Sequence, residues 1–403
     1  MKNRLQDWFS GMRVWAGALE LVVLCVLVIS ASPSAQAQAY KVLFQFRAGA
    51  DGAGPFAGVV SDPKGNLYGT TNSDGAFASG VVFKLSPTGK ETVLHSFTGS
   101  SGDGEYPLAG LVRDAAGNLY GTTADGGVYG GACGGFGCGT VFKVDSAGTE
   151  TVLHGFEGIP DGATPYAGLV RDSAGNLYGT TLSGGTNGAG TVFKLDATGT
   201  ETMLYSFNPN SGDGFSPYGG LAMDPAGNLY GTTVSGGTIG AGTVFEVDTT
   251  GAETVLYSFG SQSTDGLFPS GNLIRDAANN LYGTTQGGGT SGLGTVFKVD
   301  KNGNETVLHS FAGGRDGEIP FIAGLLRDAK GNLYGVTGEG GAFSFGTLYK
   351  VDSTGKETVL HSFNGKAGKI PYGSLIMDKA GNLYGTTTEG GAYGGGLVYR
   401  LTP

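Results

Sequence analysis

The stretch Gly65-Asn66-Leu67-Tyr68-Gly69-Thr70-Thr71 returns seven times along the 403-residue chain. Its first Asn stands at Asn66, Asn118, Asn176, Asn228, Asn280, Asn332 and Asn382, at spacings of 52, 58, 52, 52, 52 and 50 residues. A period of this length marks a solenoid, a propeller or an array, and it decides the architecture before any single residue is weighed.

The unit around the second copy shows what repeats. Leu108 to Arg113 is a short apolar run, closed by the turn Asp114-Ala115-Ala116-Gly117. Asn118 to Thr123 follows, then a Gly-rich loop, then Thr140 to Val144, a second turn Asp145-Ser146-Ala147-Gly148, and Thr151 to Phe156. Four short runs of β-branched and aromatic residues, punctuated by Asp-x-x-Gly, predict four antiparallel strands, A to D. Asp62, Asp114, Asp172, Asp224, Asp276, Asp328 and Asp378 open the A–B turn, whose fourth residue is Gly in six units and Asn279 in the fifth. Gly and Asn are the residues that best tolerate positive φ, so the exception keeps the turn geometry. No helical period is visible, and 79 glycines argue against helices.

The ends of the chain choose among the repeat architectures. Lys41 to Phe46 matches strand D with no unit before it, and Leu397 to Leu401 matches strand C with no strand D after it. In a ring, the first would complete the seventh unit and protect its sheet edge. The expectation is an all-β, seven-bladed β-propeller over residues 40–403, with four-stranded antiparallel blades and the N-terminal strand closing the last blade. A parallel β-helix is the alternative, but its coils are shorter and carry no tight hairpins.

Residues 1–39 read as a secretory signal peptide: Lys2, Arg4 and Arg13, an apolar run from Leu21 to Ile29, then alternating Ala from Ala35 to Ala39. Cleavage after Ala37 or after Ala39 fits equally. The run is shorter than the ~20 residues a membrane span needs. Cys25 follows Leu24 where a lipoprotein signal wants a small residue, which argues against lipidation. Beyond residue 39 there remain 21 Lys and Arg against 32 Asp and Glu, a net of −11, which disfavours nucleic acid and anionic membranes as partners. A secreted protein, extracellular or periplasmic and monomeric, is expected. Cys133 and Cys138 share one loop and are expected to form a local disulfide in an oxidising compartment.

The two strings Gly-Asn-Leu-Tyr-Gly-Thr-Thr and Gly-Thr-Val-Phe-Lys-Val together resemble the Gloeo/Verruco (GloVer) tandem-repeat proteins over essentially the whole chain after the leader. More loosely the unit is similar to the NHL-type propeller repeat. The resemblance implies an exported propeller of unassigned activity, often surface-associated, and it carries over no catalytic residue. Other members often carry a C-terminal anchor, whereas this chain stops at Pro403.

A residue present in every unit is scaffold, so a single site must break the symmetry. His95, His154, His309 and His361 occupy one place in strand D, where two units have Tyr205 and Tyr257. On separate outer strands they cannot share one metal. The variable B–C and D–A loops fall on one face, where function usually sits. The D–A loops carry Asp-Gly-x-x-Pro at Asp51, Asp103, Asp161, Asp213, Asp265 and Asp316, with Ala367 in the last. These acids either make the turn or form a carboxylate ring near the channel that would hold a cation such as Ca²⁺.

The B–C loops of blades 3 to 5 are plain. Those of blades 6, 7, 1 and 2 join acids to rings: Glu339 with Phe343 and Phe345, Glu389 with Tyr393, Asp74 with Phe77, Asp125 with Tyr129 and Phe136. Their D–A loops add Glu105, Arg315, Glu318, Lys366 and Lys369. Rings beside charges suit an extracellular saccharide or a peptide or protein, and packing of the loops on themselves is the competing account. The expected role is a non-catalytic binding or scaffold module without a required cofactor. A lyase or hydrolase at the channel mouth and a purely structural surface protein are the alternatives.

Overall fold

A computed structural model describes residues 38–403 apart from 101 and 130, so the expected signal peptide lies outside the described residues up to residue 37. Within it, Tyr40–Thr402 form one compact unit of seven antiparallel sheets, each ordered A-B-C-D. Blade 2 is Val112–Arg113, Leu119–Thr123, Thr140–Val144 and Glu150–Gly155. Strand A is thus shorter than the apolar run that encodes it, because Leu108 to Leu111 turn in to line the axis. Blade 7 takes its outer strand from the start of the chain: Ala39–Gln45 pairs with Leu397–Thr402, followed by Leu383–Thr387 and Ile376–Met377. The ring closes as the unmatched strands predict.

The six residues after the first Gly of the heptapeptide have distinct structural roles. In blade 2, Asp114 accepts hydrogen bonds from the Asn118 backbone N–H at 2.8 Å, from Asn118 Nδ2 at 2.8 Å and from Tyr120 Oη at 3.1 Å. One carboxylate therefore fixes the A–B turn and both residues that leave it. Leu119 is buried between blades. Gly121 lies under the ring of Phe142, where a Cβ would meet Cζ at 2.6 Å. Thr122 Oγ1 donates to the Ala167 carbonyl of blade 3 at 3.0 Å, and Thr123 Oγ1 shares a hydrogen bond with Thr140 Oγ1 at 2.8 Å. The first Thr makes this blade-to-blade bond in blades 1, 2, 3 and 7; Thr232 and Thr284 of blades 4 and 5 do not, and blade 6 has Val336 in its place.

The core lies between blades. At every junction a D-strand Phe meets a ring on strand C of the next blade, edge to face. The pairs run from Phe46–Phe83 at 5.1 Å and Phe97–Phe142 at 5.0 Å round to Phe311–Tyr349 at 5.1 Å and Phe363–Tyr399 at 5.3 Å. Such pairs add to the area they bury. A bulge between strands C and D in blades 1 to 6 increases the twist of the outer strand.

Strand A is innermost, and its glycines let the blades meet at the axis: a Cβ on Gly58 would lie 2.0 Å from the Ser374 carbonyl. The B–C and D–A loops share one face, where they pair with each other, as Gly104–Glu105 does with Asp125–Gly126.

Candidate functional site

The loop face is clamped by a motif repeated at every junction. The residue before each D–A proline has positive φ: Gly54, Tyr106, Thr164, Ser216, Phe268, Ile319 and Ile370, between 54° and 66°. Left-handed backbone is costly for Thr and Ile, and two hydrogen bonds hold it. The Ile370 N–H donates to the Phe345 carbonyl of blade 6 at 3.1 Å, and its carbonyl accepts from Thr388 of blade 7 at 3.0 Å. The proline ring then seats on the glycine before strand C of the preceding blade, as Pro371 does on Gly346.

This clamp aims the next residue at the channel mouth. Those residues are Phe56, Leu108, Tyr166, Tyr218, Ser270, Phe321 and Tyr372. Their rings form a chain of contacts around the opening: Phe56–Tyr372 at 5.2 Å, Tyr372–Phe321 at 5.0 Å, Phe321–Tyr218 at 6.1 Å across the small Ser270, and Tyr218–Tyr166 at 4.7 Å. All five are partly exposed. Burial first, then the Tyr166 hydroxyl, push the Tyr218 phenol up. Tyr372 is raised by burial and then by the carboxylates of Glu339 and Glu389. Gly338 makes room for it, since a Cβ there would meet Tyr372 Cε1 at 2.6 Å.

Beneath this collar the channel holds a cavity of about 220 Å³ lined largely by glycine, alanine and aliphatic residues of strand A. Its side-chain amide and hydroxyl are engaged: Asn272 Oδ1 accepts from the Gly220 N–H at 2.6 Å and Ser374 Oγ from the Gly324 N–H at 2.9 Å. The cavity is smaller than most small-molecule sites.

The residues singled out in the variable loops divide into two groups. Three blades form charged pairs across the D–A and B–C loops: Glu105 opposite Asp125, Glu318 opposite Glu339, and Lys369 opposite Glu389 with Nζ to Oε2 at 2.6 Å. The charges of Glu339 and Glu389 reach the Tyr372 phenol, so the acids of blades 6 and 7 lie on the same side of the loop face as the collar. Burial and Asp125 raise the Glu105 carboxyl, and burial raises that of Asp125.

The exposed rings stand apart. Phe77, Phe136, Phe343, Phe345 and Tyr393 are 58, 72, 55, 37 and 55% exposed, with no ring contact joining them among the described residues. Tyr393 lies under the Arg47 guanidinium at 5.1 Å in an open cleft at the seam of the ring. Tyr129 donates its hydroxyl to the Gly99 carbonyl, and Asp74 accepts from the Gly49 N–H at 3.2 Å. Lys366 is exposed.

The loop aspartates do not surround the channel. They sit at the outer rim beside strand D, and each accepts a backbone N–H of its own turn: Asp51 from Arg47, Asp103 from Thr98, Asp161 from Glu157, Asp213 from Asn208, Asp265 from Gly260 and Asp316 from Ala312. The strand-D residue completes the set: His154 Nε2 and His309 Nε2 lie 3.1 Å from Asp161 and Asp316, and the Tyr257 hydroxyl donates to Asp265 at 2.9 Å. Cys133 and Cys138 are disulfide-bonded, with Cα atoms 5.4 Å apart, within the loop of blade 2.

Seven four-stranded blades closed by the N-terminal strand, with a ring-lined mouth on the loop face, define a β-propeller repeat protein. The chain belongs to the Gloeobacter/Verrucomicrobia repeat family, whose model matches residues 29–133, 128–326 and 321–403. No curated protein matches it. Among solved structures it is similar to the extracellular domain of BT3049 from B. thetaiotaomicron, named as a putative hybrid two-component system. That match has 12% identity and a TM-score of 0.56, over 90% of this chain and 41% of that one. It is also similar to XC5397 from Xanthomonas campestris, a gluconolactonase, at 15% identity and TM-score 0.46, covering 91% and 90%. A luciferin-regenerating enzyme matches at 14% and 0.43, covering 91% and 96%. At these identities the likeness is one of fold.

Proposed function

We propose that this protein is an exported binding module that holds a saccharide on the collar of Phe56, Tyr166, Tyr218, Phe321 and Tyr372. The observation that carries the reading is the unbroken chain of four ring contacts around the mouth, with Lys369, Glu389 and Glu339 at its edge. Partly exposed rings offer flat apolar faces for the C–H faces of sugar rings, and the adjoining charges orient hydroxyl groups. The net negative charge beyond the leader fits a neutral glycan better than a polyanion.

A glycan array identifies the ligand, and titration calorimetry then measures it. Tyr218→Ala and Tyr372→Ala should each weaken binding by about 1–3 kcal/mol, roughly five- to 150-fold. The combined variant Phe77→Ala, Tyr129→Ala, Phe343→Ala and Tyr393→Ala should bind as the parent does. Binding lost in that variant and retained in the two collar variants would move the site to the outer loops.

A further inference from the structure

The outer rim repeats one arrangement of polar groups at successive blade junctions. The strand-D His or Tyr of one blade and the loop Asp are joined by the first Glu of strand D of the next blade, which the twist of the outer strands brings alongside. These Glu residues are Glu150 near Asp103, Glu201 near Asp161, Glu253 near Asp213, Glu305 near Asp265 and Glu357 near Asp316. At four of the five, the strand-D side chain is already committed to the Asp. His154 and His309 lie in hydrogen-bond contact with it, and Tyr205 and Tyr257 donate their hydroxyls.

The junction of blades 1 and 2 differs. His95 Nε2 stands 3.5 Å from Asp103 Oδ1 and makes no hydrogen bond, although the atom is buried. Glu150 Oε1 is buried and unbonded too, as are the corresponding oxygens of Glu91, Glu253, Glu305 and Glu357, so the histidine is what sets this junction apart. One ligand atom from each of His95, Asp103 and Glu150 lies within 4.8 Å of the others, the single set of three His, Cys, Asp or Glu residues to converge in this way among the described residues.

We propose that His95, Asp103 and Glu150 bind a first-row divalent cation, Zn²⁺ in preference to Ca²⁺ or Mg²⁺, across the junction of blades 1 and 2. One imidazole and two carboxylates match the ligand preference of Zn²⁺, with water completing four-coordination. Ca²⁺ needs six to eight oxygens, which this rim does not offer. Ligand distances of ~2.0–2.2 Å place the donor atoms ~3–4 Å apart, so the side chains close by less than about 2 Å. Asp103 is held on both oxygens: Oδ2 accepts from Thr98 N at 2.7 Å and Thr98 Oγ1 at 2.8 Å, and Oδ1 accepts from Gly104 N at 2.7 Å, which fixes the carboxylate and leaves Oδ1 a second lone pair for a metal. A dication also gives a partner to the buried, unbonded His95 Nε2.

The test uses the exported chain, stripped with a chelator and titrated with ZnCl₂ by calorimetry, with Co²⁺ absorption reporting the ligand field. One equivalent should bind. His95→Tyr places there the residue that blades 3 and 4 carry at the same position, so the sheet tolerates it. It should weaken that equivalent at least about tenfold, as should Glu150→Gln. His309→Tyr, at a junction where the histidine is already engaged, should change nothing. Absence of saturable uptake, uptake unaltered by His95→Tyr and Glu150→Gln, or equal loss in His309→Tyr overturns the proposal.

Discussion

Phe46→Ala tests whether the ring is held by its N-terminal strand. Phe46 is 0% exposed and belongs to a core cluster with Val59, Leu67, Val81, Phe83, Leu85 and Val398, so its removal strikes blades 7 and 1 together. Losing a fully buried Phe side chain forfeits about 1.5–3 kcal/mol of transfer energy. Two edge-to-face partners, Phe83 at 5.1 Å and Phe44 at 5.0 Å, add about 0.5–1.5 kcal/mol each. Sheets on both sides cannot collapse into the cavity, so the loss should come to about 3–5 kcal/mol. Phe207→Ala is the matched control: also 0% exposed, paired with Phe245 at 5.1 Å and Tyr205 at 5.2 Å, but on a strand continuous with its own blade. Urea unfolding followed by circular dichroism gives both values by linear extrapolation. Equal losses mean that the first strand is as much part of the core as any other. A loss below about 1 kcal/mol for Phe46→Ala beside a full loss for Phe207→Ala would refute the reasoning.

The glutamates of the outer junctions predict an unusual pH profile. The carboxyls of Glu91, Glu253, Glu305 and Glu357 are pushed up from 4.5 to about 7 by burial first and then by Asp51, Asp213, Asp265 and Asp316. The folded chain thus holds protons that the unfolded chain has released, and stability falls as pH rises from about 4.5 through 7. His361, pushed down to about 4 by burial, acts in the opposite direction but is one group against four. The melting midpoint should be higher near about pH 5 than near about pH 7.5, and Glu305→Gln should flatten that slope; a profile that rises with pH contradicts the assignment. Ile370 sits at φ 57°. Ile370→Gly relieves ~1–2 kcal/mol of strain against ~0.4–1 kcal/mol of chain entropy. Ile370→Gly should therefore be at least as stable as Ile370→Ala, which loses the same packing but keeps the strain, and a Gly variant more than about 1 kcal/mol less stable than the Ala variant would show that the strain is not there. Protein recovered without reductant should show neither Cys133 nor Cys138 open to alkylation by mass spectrometry.

The fold was legible because it is written seven times. Asp-x-x-Gly-Asn-x-Tyr is a local hydrogen-bond set, and a local set can be read from spacing alone. The unmatched strand at each end fixed the closure by simple accounting. The collar was harder. Tyr166, Tyr218 and Phe321 each follow a loop proline, so they look like scaffold, and only the left-handed residue before the proline turns them to the axis. That residue also defies the usual preference for extended backbone ahead of proline. The aspartates were open to two readings in sequence, a turn or a carboxylate ring, and the hydrogen bonds each makes within its own loop are those of the turn. His95 and Glu150 lie in different repeats, and no spacing within one unit brings them together.

The junction of blades 6 and 7 departs from its neighbours in two residues at once. Ala367 stands where six loops have Asp, and Tyr40 stands where the other outer strands begin with Glu. Tyr40 stacks on His361 at 4.0 Å, meets Tyr399 at 5.4 Å and donates its hydroxyl to the Ala367 carbonyl at 2.7 Å. Seven near-identical blades invite a strand to pair with the wrong sheet, or with another molecule. A glutamate-led strand placed in blade 7 would bury its carboxylate against His361 and Tyr399 without an aspartate-capped turn beside it, and Tyr40 placed elsewhere would press its ring on a charged rim. The paired exchange acts as a key and its keyway, so the detached strand has one address in the ring.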